Sequence, residues 1–204
     1  VPVPSHCTNA AAVALRGGGN YHRPYQELFA LQDQITSQVA AALKSRLQPA
    51  SAPKAQSDHP PGGNVDAYDA YMQGLSASSM EHAVEAFDRA TSIDPAYALA
   101  YSRKARLLID NISAGTLSGK RAEEAYAEAD AAIAQAMRLA PDQATTRITR
   151  GYLLMLRDFD WRGAEAELKR AVELAPDDGD AQYMLGLVRA SQGDLAQAVE
   201  LTRK

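Results

Sequence analysis

The chain of 204 residues has a single cysteine, Cys7, only three phenylalanines and one tryptophan, four scattered histidines and no long apolar run. One thiol cannot close an intramolecular disulfide or build a cysteine-rich zinc site. No stretch approaches the ~18 consecutive apolar residues of a membrane-spanning helix, and Ala10 to Leu15 is too short and too poorly flanked for a signal peptide. His6, His22, His59 and His82 stand apart from one another and from Cys7, so neither a metal-ligand spacing nor a nucleophile-base pair emerges. A basic excess is missing too: the net charge is −4, and from Val65 onward 22 acidic side chains face 16 basic ones, which disfavours nucleic-acid binding. The expectation is therefore a chain without catalytic residues, metal or cofactor, and without nucleic-acid or membrane contacts of its own.

What the chain has instead is alanine. Apolar residues make up 46% of it, and with large aromatics so sparse, these small side chains suit closely packed helices better than sandwiches or barrels. The expected fold class is all-α, with enough length for one domain and an appendage.

Residues 1–20 join Pro2, Pro4, an alanine run and Gly17-Gly18-Gly19, which reads as a flexible tail. In the segment 21–47, Pro24 precedes Leu28, Leu31, Ile35, Val39, Leu43 and Leu47, whose three- and four-residue spacings draw one stripe on a long amphipathic helix. A stripe of that size needs cover. The groove of its own chain or a second copy would supply it, and pairing two identical helices satisfies both stripes at once, so residues 24–47 are the expected homodimer contact. Residues 48–64 hold Pro49, Pro53, Pro60, Pro61 and Gly62-Gly63, the chemistry of a linker.

Beyond Val65 the chain repeats itself. Three helix endings align: Ala90 to Pro95, Ala136 to Pro141 and Ala171 to Pro176, each proline turning the chain into a new helical pattern. Seven residues before each of those alanines stands another, with a bulky residue four further on: Ala83 and Phe87, Ala129 and Ile133, Ala164 and Leu168; Ala198 begins a fourth set. Gly74, Ala105, Gly151 and Gly186 recur upstream, where a small residue lets two helices approach. Pro141 and Pro176 are 35 residues apart, whereas Pro95 and Pro141 are 46 apart, which predicts a long loop around Asn111 to Arg121. Only nine residues separate Gly74 from Ala83, which predicts a short or distorted first helix.

This pattern over 65–204 resembles the tetratricopeptide repeat, with its Leu-Gly on a first helix (A) and its Ala-x3-Phe and closing Pro on a second (B). The resemblance implies a right-handed superhelix of about four helix-turn-helix units, the last one truncated, preceded by the amphipathic helix. Tyr21 to Thr36 also resembles the "YDR…D-F-A-L-Q-D-E-I" segment that precedes such repeats in bacterial regulators, and Asp158-Phe159-Asp160-Trp161-Arg162-Gly163-Ala164-Glu165 is similar to their "D-W-D-W-x-G-A-E" run. In those regulators the segment ends a small α/β domain, with an adenylate cyclase or winged-helix domain N-terminal to it. The resemblance implies an interaction or sensory module of a bacterial signalling or transcription regulator. The alternative it leaves open is the regulatory arm of a nucleotide cyclase whose catalytic domain lies outside this chain. Neither reading names a compartment: a domain with no span of its own can belong to a membrane-anchored parent on either side.

Two motifs invite chemistry and fail. Around Ser118-Gly119-Lys120-Arg121 a phosphate loop is ruled out, because Gly115 is one residue too close and Arg121 stands where a hydroxyl is needed; Ser118 reads as a helix cap. Asp177-Asp178-Gly179-Asp180 follows Pro176 and precedes a helix, where carboxylates cap free N–H groups, and Asp194 with Gln197 repeats that signal. Trp161 is expected to pack between repeats. The A helices of the resembling arrays line a concave groove, and the residues beside their packing stripes are Arg103 and Arg106, then Ile148, Tyr152 and Met155, then Tyr183 and Leu187. That groove would be basic at its N-terminal end and apolar-aromatic at the other, fitting a protein partner that presents an apolar helix or an extended hydrophobic peptide.

Overall fold

The computed structural model describes residues 58–203, together with Ala30, Gln32, Gln34, Ile35 and Gln38. Among the described residues, eight α-helices follow Val65 and no strand occurs: α1 (Val65–Ser76), α2 (Met80–Ile93), α3 (Ala98–Ser113), α4 (Gly119–Leu139), α5 (Ala144–Leu153), α6 (Trp161–Leu174), α7 (Gly179–Ser191) and α8 (Leu195–Thr202). A π-helical turn, Leu154–Asp158, continues α5. Odd-numbered helices are the A members and even-numbered ones the B members of four antiparallel pairs. Each pair packs internally and against the A helix of the next, and α3, α5 and α7 also touch in succession.

The repeating alanines are what allow this closeness. Ala83, Ala90, Ala129, Ala136, Ala164, Ala171 and Ala198 are all buried, and Phe87, Ile133 and Leu168 fill the space beside them. The small A-helix residues face those bulky ones: a Cβ on Gly74 would lie 2.6 Å from the Phe87 ring, and one on Gly151 2.8 Å from Leu168 Cγ. Side chains at Gly74 and Gly151 would therefore force the helices apart. Three apolar clusters run along the array, centred on Phe87, Ile133 and Leu168.

Each proline turn is built the same way. Tyr97 N–H donates to the Asp94 carbonyl, Gln143 N–H to Ala140 and Asp178 N–H to Ala175, all at 3.1 Å, with the proline at the second turn position, where its fixed φ fits. Side chains close several helix starts: Asn64, Ser79, Asp160, Asp178 and Asp194 each accept from backbone N–H groups of the first turn. The capping expected of Asp178 and Asp194 is met. Ser118 holds the cap position of α4 but makes no side-chain cap bond.

One expectation is corrected. The extra residues between Pro95 and Pro141 do not form a long loop. They lengthen α3 to 16 residues and α4 to 21, leaving a turn of Ala114 to Ser118 that inserts Leu117 into the core. The first A helix, expected to be short or distorted, is short and regular: α1 has 12 residues against 16 in α3 and ends two residues after Gly74. The distortion lies instead in the third A helix, where the π turn leads to Phe159 at φ 52°. The residues just before Asn64 are also part of the repeat body, since the Tyr97 hydroxyl donates to the Asp58 carbonyl and Gly62 N–H to Asp94 Oδ2 at 3.1 Å.

Candidate interaction surface

Helical spacing brings one line of A-helix side chains together across the array. Arg106 on α3 lies at its centre. Its Nε donates to both oxygens of Asp110 one turn along, at 3.0 and 3.2 Å, and its Nη1 to Asp180 Oδ2 on α7 at 2.8 Å. The guanidinium carbon is 4.8 Å from the centroid of the Tyr152 ring on α5. This side chain, 22% exposed, therefore spans three A helices and stacks on the middle one. Burial opposes its charge, but Asp180 and Asp110 outweigh that and raise its pKa.

The sequence-derived groove residues do not all reach this face. Tyr183 is 51% exposed, Leu187 is exposed at the margin, and Tyr152 is half-buried beneath Arg106. Arg103 is exposed and acts electrostatically on the buried Tyr71 hydroxyl, whose pKa burial pushes up and Arg103 partly draws back. Ile148 and Met155 are only 3% and 6% exposed, inside the cluster around Leu168, so they support the surface from below rather than line it. The cause is the packing of successive A helices, which leaves one flank of each against the next. Ser102 on α3 shows the same burial, its hydroxyl 2.5 Å from that of Thr146 on α5. Nor is the N-terminal end an open basic patch, because Arg106 is held by two carboxylates.

Sequence reasoning missed Asp110 and Asp180. Asp110 was within reach, as an i, i+4 partner of Arg106. Asp180 is 74 residues away and no local signal names it. Trp161, as expected, opens α6 and packs against the cluster around Leu168. Of the association-helix residues, Ile35 is helical and 53% exposed, whereas Leu28, Leu31, Val39 and Leu43 lie outside the described residues. Among the described residues no helix is long and apolar enough to cross a membrane, and no three His, Cys, Asp or Glu side chains are placed to hold a metal.

Helix pairs with buried small residues and a side-chain line along the A helices define a tetratricopeptide-type superhelix. Among solved structures the chain is similar to TTC0263, a thermophilic TPR protein of Thermus thermophilus, at 22% identity over 87% of this chain and 84% of that one, with a TM-score of 0.57. It is also similar to MamA, at 19% identity, 67% and 69% coverage and a TM-score of 0.48. A further likeness is to MamA from residue 41 onward of Desulfovibrio magneticus RS-1, at 20% identity, 68% and 72% coverage and a TM-score of 0.49. The first of these establishes the fold and nothing more. No family model and no curated protein sequence matches the chain.

Proposed function

We propose that this chain is a protein- or peptide-binding scaffold with no catalytic role of its own, serving as the interaction or sensory module of a bacterial signalling or transcription regulator. The observation that carries this reading is the Arg106 guanidinium stacked on Tyr152 and paired with Asp180, with Tyr183 exposed three residues beyond Asp180 on α7; exposed tyrosine and arginine are the residue types that anchor interfaces. Tyr183 is the cleaner anchor because it is exposed while Tyr152 is held by its neighbours. Tyr183→Ala should weaken a peptide partner by roughly 1 to 4 kcal/mol in isothermal titration, with the helical circular-dichroism signal unchanged. Loss of the helical signal would instead assign Tyr183 to the core and defeat the reading.

The regulator context rests on the resemblance of Tyr21 to Thr36 and Asp158 to Glu165. The cyclase-arm alternative is separated from it by the parent protein's upstream domain. Self-association through residues 24–47 belongs to the same proposal, with 1–20 as a tail and 48–57 as tether, and is supported by the exposure of Ile35. Light scattering on the wild type and on Leu31→Glu with Ile35→Glu should show a dimer converted to a monomer; a monomer in both would remove this part.

A further inference from the structure

A second surface lies on the other helix layer, where the chain departs most from the repeat length. The residues that lengthen α3 and α4 build, with α2, a pocket of about 350 Å³. Its floor is apolar: Leu108 from α3, Leu117 from the turn and Ala125 from α4 are buried, and Met80 and Val84 of α2 are half-buried against them. Its rim is acidic: Glu81, Glu85, Glu124 and Glu128 surround the floor, with Arg121 as the single cation lining it. Glu128 is engaged by Lys104, which also holds Asp88, each at 2.5 Å, and Glu124 is 3.5 Å from the exposed Lys120. Glu81 and Glu85 are exposed and make no ion pair among the described residues.

The arrangement selects the kind of occupant. No polar group converges on the floor, as a small ligand would need for its orientation, and every charge sits at the edge. An apolar centre inside a charged rim is the layout of a protein interface. The sign of the rim then sets the partner's charge, because unpaired glutamates favour Lys or Arg and repel carboxylates. Insertions in helical arrays commonly serve one binding face, and here the inserted residues supply Leu117, Arg121, Glu124 and Ala125 to it. We propose that this pocket between α2 and α4 docks a protein segment that presents one or two apolar side chains flanked by lysine or arginine.

The test uses the full chain and three fluorescein-labelled helical peptides: leucines one turn apart flanked by lysines, the same leucines flanked by glutamates, and the lysine peptide with serine in place of leucine. The lysine-leucine peptide should bind and shift the methyl signals of Met80 and Leu117. The other two should bind at least about tenfold more weakly. The exposed double variant Glu81→Lys with Glu85→Lys should reduce binding about tenfold or more without altering the helical signal, while Tyr183→Ala leaves it unchanged, which separates this surface from the A-helix groove. Equal binding of the glutamate or serine peptide, indifference to the rim variant, methyl shifts confined to other residues, or no binding of the lysine-leucine peptide would each overturn the proposal.

Discussion

Glycines on the A helices show how single atoms set the spacing of the array. In an exposed helix interior, Gly→Ala gains about 0.5–1 kcal/mol. At Gly74 the new Cβ would meet three Phe87 ring atoms between 2.6 and 2.9 Å, and at Gly151 it would meet the branched end of Leu168 from 2.8 Å. Overpacking of that kind costs roughly 1–3 kcal/mol, so both substitutions should lower the urea midpoint. Gly186→Ala should cost less than either, because its new Cβ would meet only the exposed Thr202 methyl at 3.0 Å and the Ala198 carbonyl oxygen at 3.3 Å. An equal loss at all three would contradict this account. A second residue, Glu165, accepts from Lys169 on its own helix at 2.6 Å and ties α6 to the end of α7 by accepting from Gln192 at 2.8 Å and Arg189 at 2.9 Å. The Lys169 bond above all, then Gln192 and the Arg189 charge, holds its pKa below the ordinary 4.5. A depressed carboxylate pKa stabilises the fold above its unfolded value, and that contribution is lost as pH falls through the folded value. The melting temperature of Glu165→Gln should therefore lie below wild type at neutral pH, and the gap should close in strongly acidic buffer.

At the scale of elements, the turn between α5 and α6 carries the local strain. The π turn Leu154–Asp158 ends at Phe159, the one described non-glycine residue with positive φ, at 52°. Its ring is exposed, so no packing compensates for the left-handed backbone. Asp160 then caps α6 by accepting from Gly163 N–H at 2.9 Å, and a Cβ at 163 would lie 2.2 Å from its Oδ2. The Asp160-Trp161-Arg162-Gly163 run is thus a cap that requires glycine at its fourth place. Phe159→Gly should raise stability by up to about 1 kcal/mol by removing the left-handed penalty, read as a higher melting temperature. A decrease would mean that the phenyl group packs in solution.

Over the whole molecule, each helix pair buries its apolar face against its neighbours, so stability is distributed along the array and should thin where cover is least. In α8 only Ala198 is buried, and Leu195 and Val199 are exposed. Amide hydrogen exchange should be fastest in α8 and slowest in α4 to α6. Uniform exchange across all eight helices would instead mark one cooperative unit. The Arg106–Asp180 pair links α3 to α7 across α5 and couples helices beyond nearest neighbours. Because Asp180 is nearly half exposed, solvent screening limits the pair to about 0.5–1 kcal/mol.

The helix pairs were legible in the linear chain because their causes are local or periodic. Ala83 and Ala90, Phe87 four residues after the first of them, and the turn at Pro95 follow from helical spacing and from proline's missing donor, and the same logic identified Asp178 and Asp194 as caps. Packing settled the remainder. Whether Gly115 to Arg121 became loop or helix depended on Leu117 and Ala125 finding cover in the cluster around Ile133. Ile148 occupies the same repeat position as the exposed Tyr183, 35 residues on, and only the approach of the next A helix separates buried from open. The Arg106–Asp180 contact and the acidic-rimmed pocket join residues from different repeats, and neither spacing nor composition encodes which distant side chains a superhelix brings within hydrogen-bond reach.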